Sequence, residues 1–162
     1  MSHQVFMGSC PSDDRFEAAQ WDPHIGTIGK PKGGLWTSDL LPEGTSPWLE
    51  WVRTEQPDWR REAWVCELKP DIHTAHVWSR RDLVRLGIPE SWDQLSQRFH
   101  RVRFTQSVID SRFSSKFDVD EVSRLPSIRE MLVWSLDVPS SVWLRPPSEC
   151  FARVYQLETA DV

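Results

Sequence analysis

The sequence of 162 residues has one Tyr, three Cys and seven Gly. Cys10, Cys66 and Cys150 are odd in number and irregularly spaced. That excludes a paired disulfide framework and a CxxC metal or redox motif. Long apolar runs are also missing, and no stretch approaches the ~20 residues of a membrane span. The first residues, Met1 to Gly8, lack the basic segment and apolar run of a signal peptide. A cytoplasmic location without a membrane partner is the resulting expectation. No GxGxxG, P-loop, HExxH or GxSxG motif occurs, so dinucleotide-fold dehydrogenases, P-loop NTPases, zincins and serine hydrolases lose their sequence support. Internal repeats and low-complexity segments are absent as well.

What is present is unusual in one respect: ten Trp and twelve Pro. Trp combines a large apolar body with one N–H donor, so it serves cores and stacking sites alike. Ten exceed ordinary packing needs, which makes one or two of them candidates for a ligand cleft. The length fits a single domain over residues 1–162, because domains most often run to about 100–150 residues. Hydrophobic content of 39% with 27% charged residues excludes wholesale disorder. The net charge of −5 argues against a broad nucleic-acid or membrane-binding face. Arg98, His100, Arg101 and Arg103 form a local basic cluster, read as a solvated helix face. His73 and His76, three apart in a strand or turn, would point to opposite faces and suit a metal poorly. No metal site is expected. Cys10 near the first strand has no His or acid placed to activate it as a nucleophile.

The element order reads as follows. Val5 to Met7 is a short strand ended by Gly8 to Pro11. Ser12 to Lys32 is a long loop with a helical turn near Phe16 to Ala19. Leu35 to Ser38 is a strand entered through two glycines. Ser46-Pro47 opens a helix that stops before Pro57 and carries Trp48, Trp51 and Val52 on one face. Trp64, Cys66 and Leu68 alternate with Ala63, Val65 and Glu67 in a mostly buried strand. Ala75 to Trp78 is another strand. Ser79 caps a helix closed by Gly87. Ser91 with Gln94 reads as a capping box for a helix of about ten residues bearing Leu95, Phe99 and Val102. Phe113 to Val122 has no clean period. Met131 to Trp134, Val142 to Leu144 and Ala152 to Leu157 read as late strands. The fold class is therefore α+β, with a mixed, mainly antiparallel sheet and flanking helices.

One segment carries a specific signature: Lys30-Pro31-Lys32-Gly33-Gly34-Leu35-Trp36-Thr37-Ser38. Lys30 before Pro is held extended, and Gly33 and Gly34 permit a bend or a close ligand approach. Trp36 can stack a planar heterocycle while Thr37 and Ser38 meet its polar edge. The competing reading is a tight turn into a core strand with Trp36 packed inside.

This segment resembles the Lys-Pro-x-Gly-Gly-Leu-Trp-x-Ser signature of a poorly characterised family of small bacterial and phage proteins. Its members follow the signature with a Trp-x-x-Trp helix, as Trp48-Leu49-Glu50-Trp51 does here. A late segment, Trp134 to Pro146, is similar in layout to the family's Trp-Asp-Cys-x-Ser stretch and keeps Asp137. It departs in having Leu136, Val138 and Arg145. The order of elements is in turn similar to the ADP-ribosyltransferase fold. That resemblance implies NAD as cofactor, with Lys30, Gly34, Trp36, Thr37 and Ser38 on the cofactor side. It implies Asp137 as the late acid, with Glu121 competing, because C–N cleavage builds positive charge that a carboxylate stabilises. The usual strand-one His or Arg is offered only by His3 and Arg15, and Ser140 and Ser141 stand where a Glu or Gln is customary.

Other roles compete for both acids. Asp137 also reads as a loop-capping residue before Pro139, and Glu121 as one of an acidic run with Asp118 and Asp120. The implied function is a mono-ADP-ribosyltransferase-like domain whose acceptor is a protein side chain, a nucleobase or water. The alternative is a non-catalytic phage or bacterial interaction or inhibitor protein that holds a host protein through Trp and Arg anchors. An antitoxin or immunity-type partner fits the acidic charge but has no motif behind it.

Overall fold

The computed structural model describes residues 2–22, 30–58, 62–113 and 127–157. Its described residues form a mixed α+β architecture built on one seven-stranded sheet. The strands are β1 (His3–Met7), β2 (Leu35–Asp39), β3 (Ala63–Leu68), β4 (Thr74–Val77), β5 (Arg101–Phe104), β6 (Ser140–Trp143) and β7 (Phe151–Gln156). Their spatial order is β4-β5-β6-β2-β1-β3-β7. Only β4 and β5 run parallel, and every other pair is antiparallel. The sheet is thus mixed and mainly antiparallel, and β2 lies at its centre.

The helices are α1 (Pro47–Glu55), α2 (Arg80–Leu86), α3 (Trp92–Ser96), α4 (Gln106–Asp110), α5 (Ile128–Trp134) and α6 (Pro147–Cys150). Local chemistry explains several of their ends. Ser46 caps α1 by accepting from the Leu49 N–H at 3.1 Å, with Pro47 in the first turn; such a cap contributes about 1 kcal/mol. Ser79 and Asp82 form a capping box on α2, and Gly87 ends it in the left-handed region.

Strand alternation divides the apolar residues between two faces. On one face Val5, Met7 and Ala63 pack against Leu49 and Val52 of α1. Farther along that face, Val77, Val102, Phe104 and Val142 join residues of α2 to α5, including Leu83, Trp92, Ile109 and Leu132. The opposite face gathers Cys66, Leu68, Trp143, Cys150 and Phe151 near α6. A buried ion pair braces the helical layer: Arg80 holds both carboxylate oxygens of Glu130 and reaches the Ser111 carbonyl at 2.7 Å. Glu130 is 1% exposed, so removing its partner costs about 3–5 kcal/mol. This pair ties α2 to α5, the helix that leads into the segment bearing Asp137.

The structure corrects several sequence expectations. Met131 to Trp134 is helical, because Ser127 accepts from the Glu130 N–H at 3.3 Å and starts α5. Leu132 and Val133 are buried while Met131 and Trp134 are exposed, a helical and not an alternating pattern. The helix after Ser91 ends at Ser96. Val102 belongs to β5, paired with Val142. Ser91 donates to the Leu86 carbonyl instead of capping α3. The helical turn in the early loop is a 3-10 turn at Asp13–Arg15, not at Phe16 to Ala19. Glu121 and the acidic run around it lie outside the described residues.

Gly33 and Gly34 have φ of +73° and +74°, where L side chains are strained. A Cβ on Gly34 would lie 2.7 Å from Val142 Cγ2 and 3.2 Å from the Trp143 carbonyl oxygen. The glycines admit the neighbouring chain. Gly34→Ala therefore loses about 1–3 kcal/mol of stability, read by urea unfolding. A loss under ~0.5 kcal/mol, within the range of neutral surface changes, would contradict this packing.

Candidate functional site

The alternation of β2 decides which parts of the signature can meet a ligand. Trp36 and Ser38 point to the α1 side, and Thr37 points to the other. The half-buried Trp36 ring stacks on Phe104 with centroids 6.0 Å apart and an angle of 12°. Lys30 Nζ sits 5.6 Å from the Trp36 ring centroid, a cation–π arrangement.

A cavity of about 290 Å³ opens here, walled by Lys30, Trp36, Trp48, Trp51, Asp137 and Ser140. Three elements distant in sequence supply these walls: the β2 entry, α1, and the Ser135 to Ser140 segment between α5 and β6. The Trp48 indole N–H donates to Ser140 Oγ at 3.2 Å, and the Ser140 hydroxyl donates to the Val138 carbonyl at 2.8 Å. Those two bonds fix the segment that carries the exposed Asp137. Burial pushes the Lys30 pKa down, and the nearby Asp137 carboxylate opposes that shift. The result is a cleft with three indoles, one cation and one anion.

Not every expected site residue joins it. Thr37 is fully buried on the opposite face. It accepts from the Trp143 indole N–H at 2.8 Å and donates to Gln4 Oε1 at 2.8 Å. Ser38 is 1% exposed, and its Oγ accepts from the Trp48 backbone N–H at 3.4 Å. Neither hydroxyl lines the cavity, because Thr37 points to the opposite face and Ser38 is bonded at the start of α1. Gly34 lines a separate cavity beside Phe6, Cys10 and Arg15. His3 lines a third cavity with Asp39, Arg101 and Arg103. The strand-one residue of the transferase pattern is therefore not brought to Trp36.

Trp48, Trp51 and Ser140 complete the walls without having been singled out as site residues. The Trp-x-x-Trp spacing on α1 was the available signal, because i and i+3 share a helix face. What the spacing lacks is the direction of that face. Among the described residues no group of three or more His, Cys, Asp or Glu could hold a metal ion. No described helix is long and apolar enough to cross a membrane.

Thiol chemistry has little purchase on the buried side. Cys66 and Cys150 are inaccessible, and burial pushes both thiols up to about 12. Cys10 is partly exposed and donates weakly to the Pro11 carbonyl at 3.8 Å. A disulfide-exchange reagent at pH 8 should therefore label one thiol rapidly in the native chain and three after denaturation. Rapid labelling of Cys66 or Cys150 would show that the buried face is open. Searches against protein-family models, curated proteins and solved structures gave no match to the chain.

Proposed function

We propose that the chain is an NAD-dependent mono-ADP-ribosyltransferase-like domain, with the nicotinamide end of the cofactor between Trp36 and the α1 tryptophans. The observation that carries this reading is the convergence of Lys30, Trp36 and Asp137 on one cavity. The volume of about 290 Å³ lies at the lower end of small-molecule sites, roughly 300–1,000 Å³. It suits one planar head group with its sugar and leaves the rest of a dinucleotide outside. When bound, NAD would supply the C–N glycosidic bond whose cleavage releases nicotinamide.

The protein's own part in this reading is positioning and electrostatics. The indoles of Trp36, Trp48 and Trp51 offer stacking surfaces and exclude water from the ring. Asp137, held by the Ser140 anchor, places a carboxylate where positive charge develops on the sugar. Lys30 supplies a cation for the phosphate side. Thr37 and Ser38 take no part, since both are bonded inside the protein. The acceptor is a protein side chain, a nucleobase or water.

A second reading, a non-catalytic interaction protein, draws on a different observation. Met131 and Trp134, three apart on α5, are 37% and 57% exposed, and Trp78 is 55% exposed. Exposed indoles of this kind anchor protein interfaces.

Ligand-dependent melting separates the two readings. With a dissociation constant of about 0.1 mM, 1 mM NAD stabilises the fold by about 1.4 kcal/mol, raising Tm by about 3–6 °C. Trp36→Ala should melt lower and lose the NAD-dependent increment. An unchanged wild-type Tm, with no nicotinamide released in the presence of candidate acceptors, would remove the transferase reading.

Asp137→Asn probes a different quantity. It should keep most of the NAD-dependent Tm increment while nicotinamide release falls about 100-fold or more, a loss typical for removal of an electrostatic stabiliser. Release at the wild-type rate would assign Asp137 to loop capping instead.

A further inference from the structure

The basic cluster read from sequence as a solvated helix face is something else in the fold. Arg101 and Arg103 lie on strand β5 and project from the side of the sheet opposite the tryptophan cleft. Arg101 faces Trp143 across the β5–β6 register, and Arg103 faces Ser141. Parallel pairing places Thr74 and His76 of β4 beside them. Arg101 is 8% exposed, unusual for a residue type almost never fully buried without a partner.

Its hydrogen bonding is incomplete. Arg101 Nε donates to Thr74 Oγ1 at 2.9 Å, and the guanidinium carbon lies 5.1 Å from the Trp143 ring centroid. Nη1 is buried and has no hydrogen-bond partner among the described residues. A buried donor left unmade costs about 1–3 kcal/mol, more when charged. Arg103 differs, since its Nη2 donates to Asp39 Oδ2. Both arginines and Asp39 line a cavity of about 540 Å³ together with Ser2, His3, Leu40, Leu41 and Pro42.

The charges set the ligand class. The two guanidinium groups against the Asp39 carboxylate leave one positive charge, and His3 also lines the cavity. His76 adds little at neutral pH, because burial and the two arginines lower its pKa while Asp39 opposes them more weakly. One negative charge therefore balances the two arginines and Asp39. A guanidinium matches a planar carboxylate through two parallel N–H donors. Leu41 and Pro42 in the lining suit a short apolar body behind that head group. We infer that this cavity binds a small organic acid, with its carboxylate on Arg101 beside Arg103 and its apolar end against Leu41 and Pro42. The site is independent of the nicotinamide reading, as the two cavities share no lining residue.

Solution NMR tests this with sodium acetate, butyrate and phosphate as probes at constant ionic strength. The Trp143 indole N–H is the reporter, because the Trp143 ring lies 5.1 Å from the Arg101 guanidinium carbon. Butyrate should shift it saturably and bind at least threefold more tightly than acetate. Arg101→Gln should weaken butyrate at least tenfold. Asp39→Asn removes the competing carboxylate and should tighten it at least threefold. If Arg101→Gln does not fold, Arg103→Gln on the more exposed arginine should weaken butyrate at least threefold. Absence of saturation, equal affinity in the arginine variants, or saturation by phosphate alone would overturn the proposal.

Discussion

A buried relay of polar side chains holds the centre of this protein in register. The Trp143 indole donates to Thr37, Thr37 donates to Gln4, and Gln4 donates to Asp39, which also receives Arg103. The chain of bonds crosses β6, β2, β1 and β5. Each member is buried or partly buried, so an unmade bond leaves a polar group without water. A one-residue slip of β2 would break the relay and turn Trp36 to the wrong face. The position of the tryptophan cleft thus depends on hydrogen bonds made on the far side of the sheet.

This arrangement gives the two faces of β2 different work. One face carries Trp36 toward α1 and the Ser135 to Ser140 segment, where indoles and opposite charges meet. The other carries Thr37 and Asp39 into the relay that ends beside the arginine cavity. Because β2 is the fourth of seven strands, a single strand borders both cavities. Their chemistry differs in kind: stacking surface with one anion on one side, guanidinium groups with a buried donor that has no partner among the described residues on the other. That separation lets each proposed site be altered without removing a side chain from the other.

Much of the architecture was legible because it is local. Ser46-Pro47 starts α1, Gly87 closes α2, and the Ala63 to Leu68 alternation is a strand, each fixed by contacts within a few residues. Where the reading failed, short windows were the cause. Met131 to Trp134 holds four apolar residues, too few to separate a period of 2 from 3.6, and the deciding signal was the cap at Ser127. Leu95, Phe99 and Val102 fit a helical spacing, yet Val102 finds its partner in Val142, forty residues away in sequence. Tertiary pairing overrode the local pattern there. The same error hid Arg101 and Arg103, since a helix face would have left them in solvent.

The sequence alone determined the mixed α+β character, the capped starts of α1 and α2 and the unusual supply of tryptophan, because these follow from local spacing and composition. It also marked Lys30, Trp36 and Asp137 as residues of interest. Only the tertiary structure decided that these three share a cleft with Trp48 and Trp51, and that Thr37 and Ser38 do not. The physical reason lies in β2, which exposes alternate side chains to opposite layers. What fills those layers comes from α1, β1 and β6, elements whose approach no local pattern encodes.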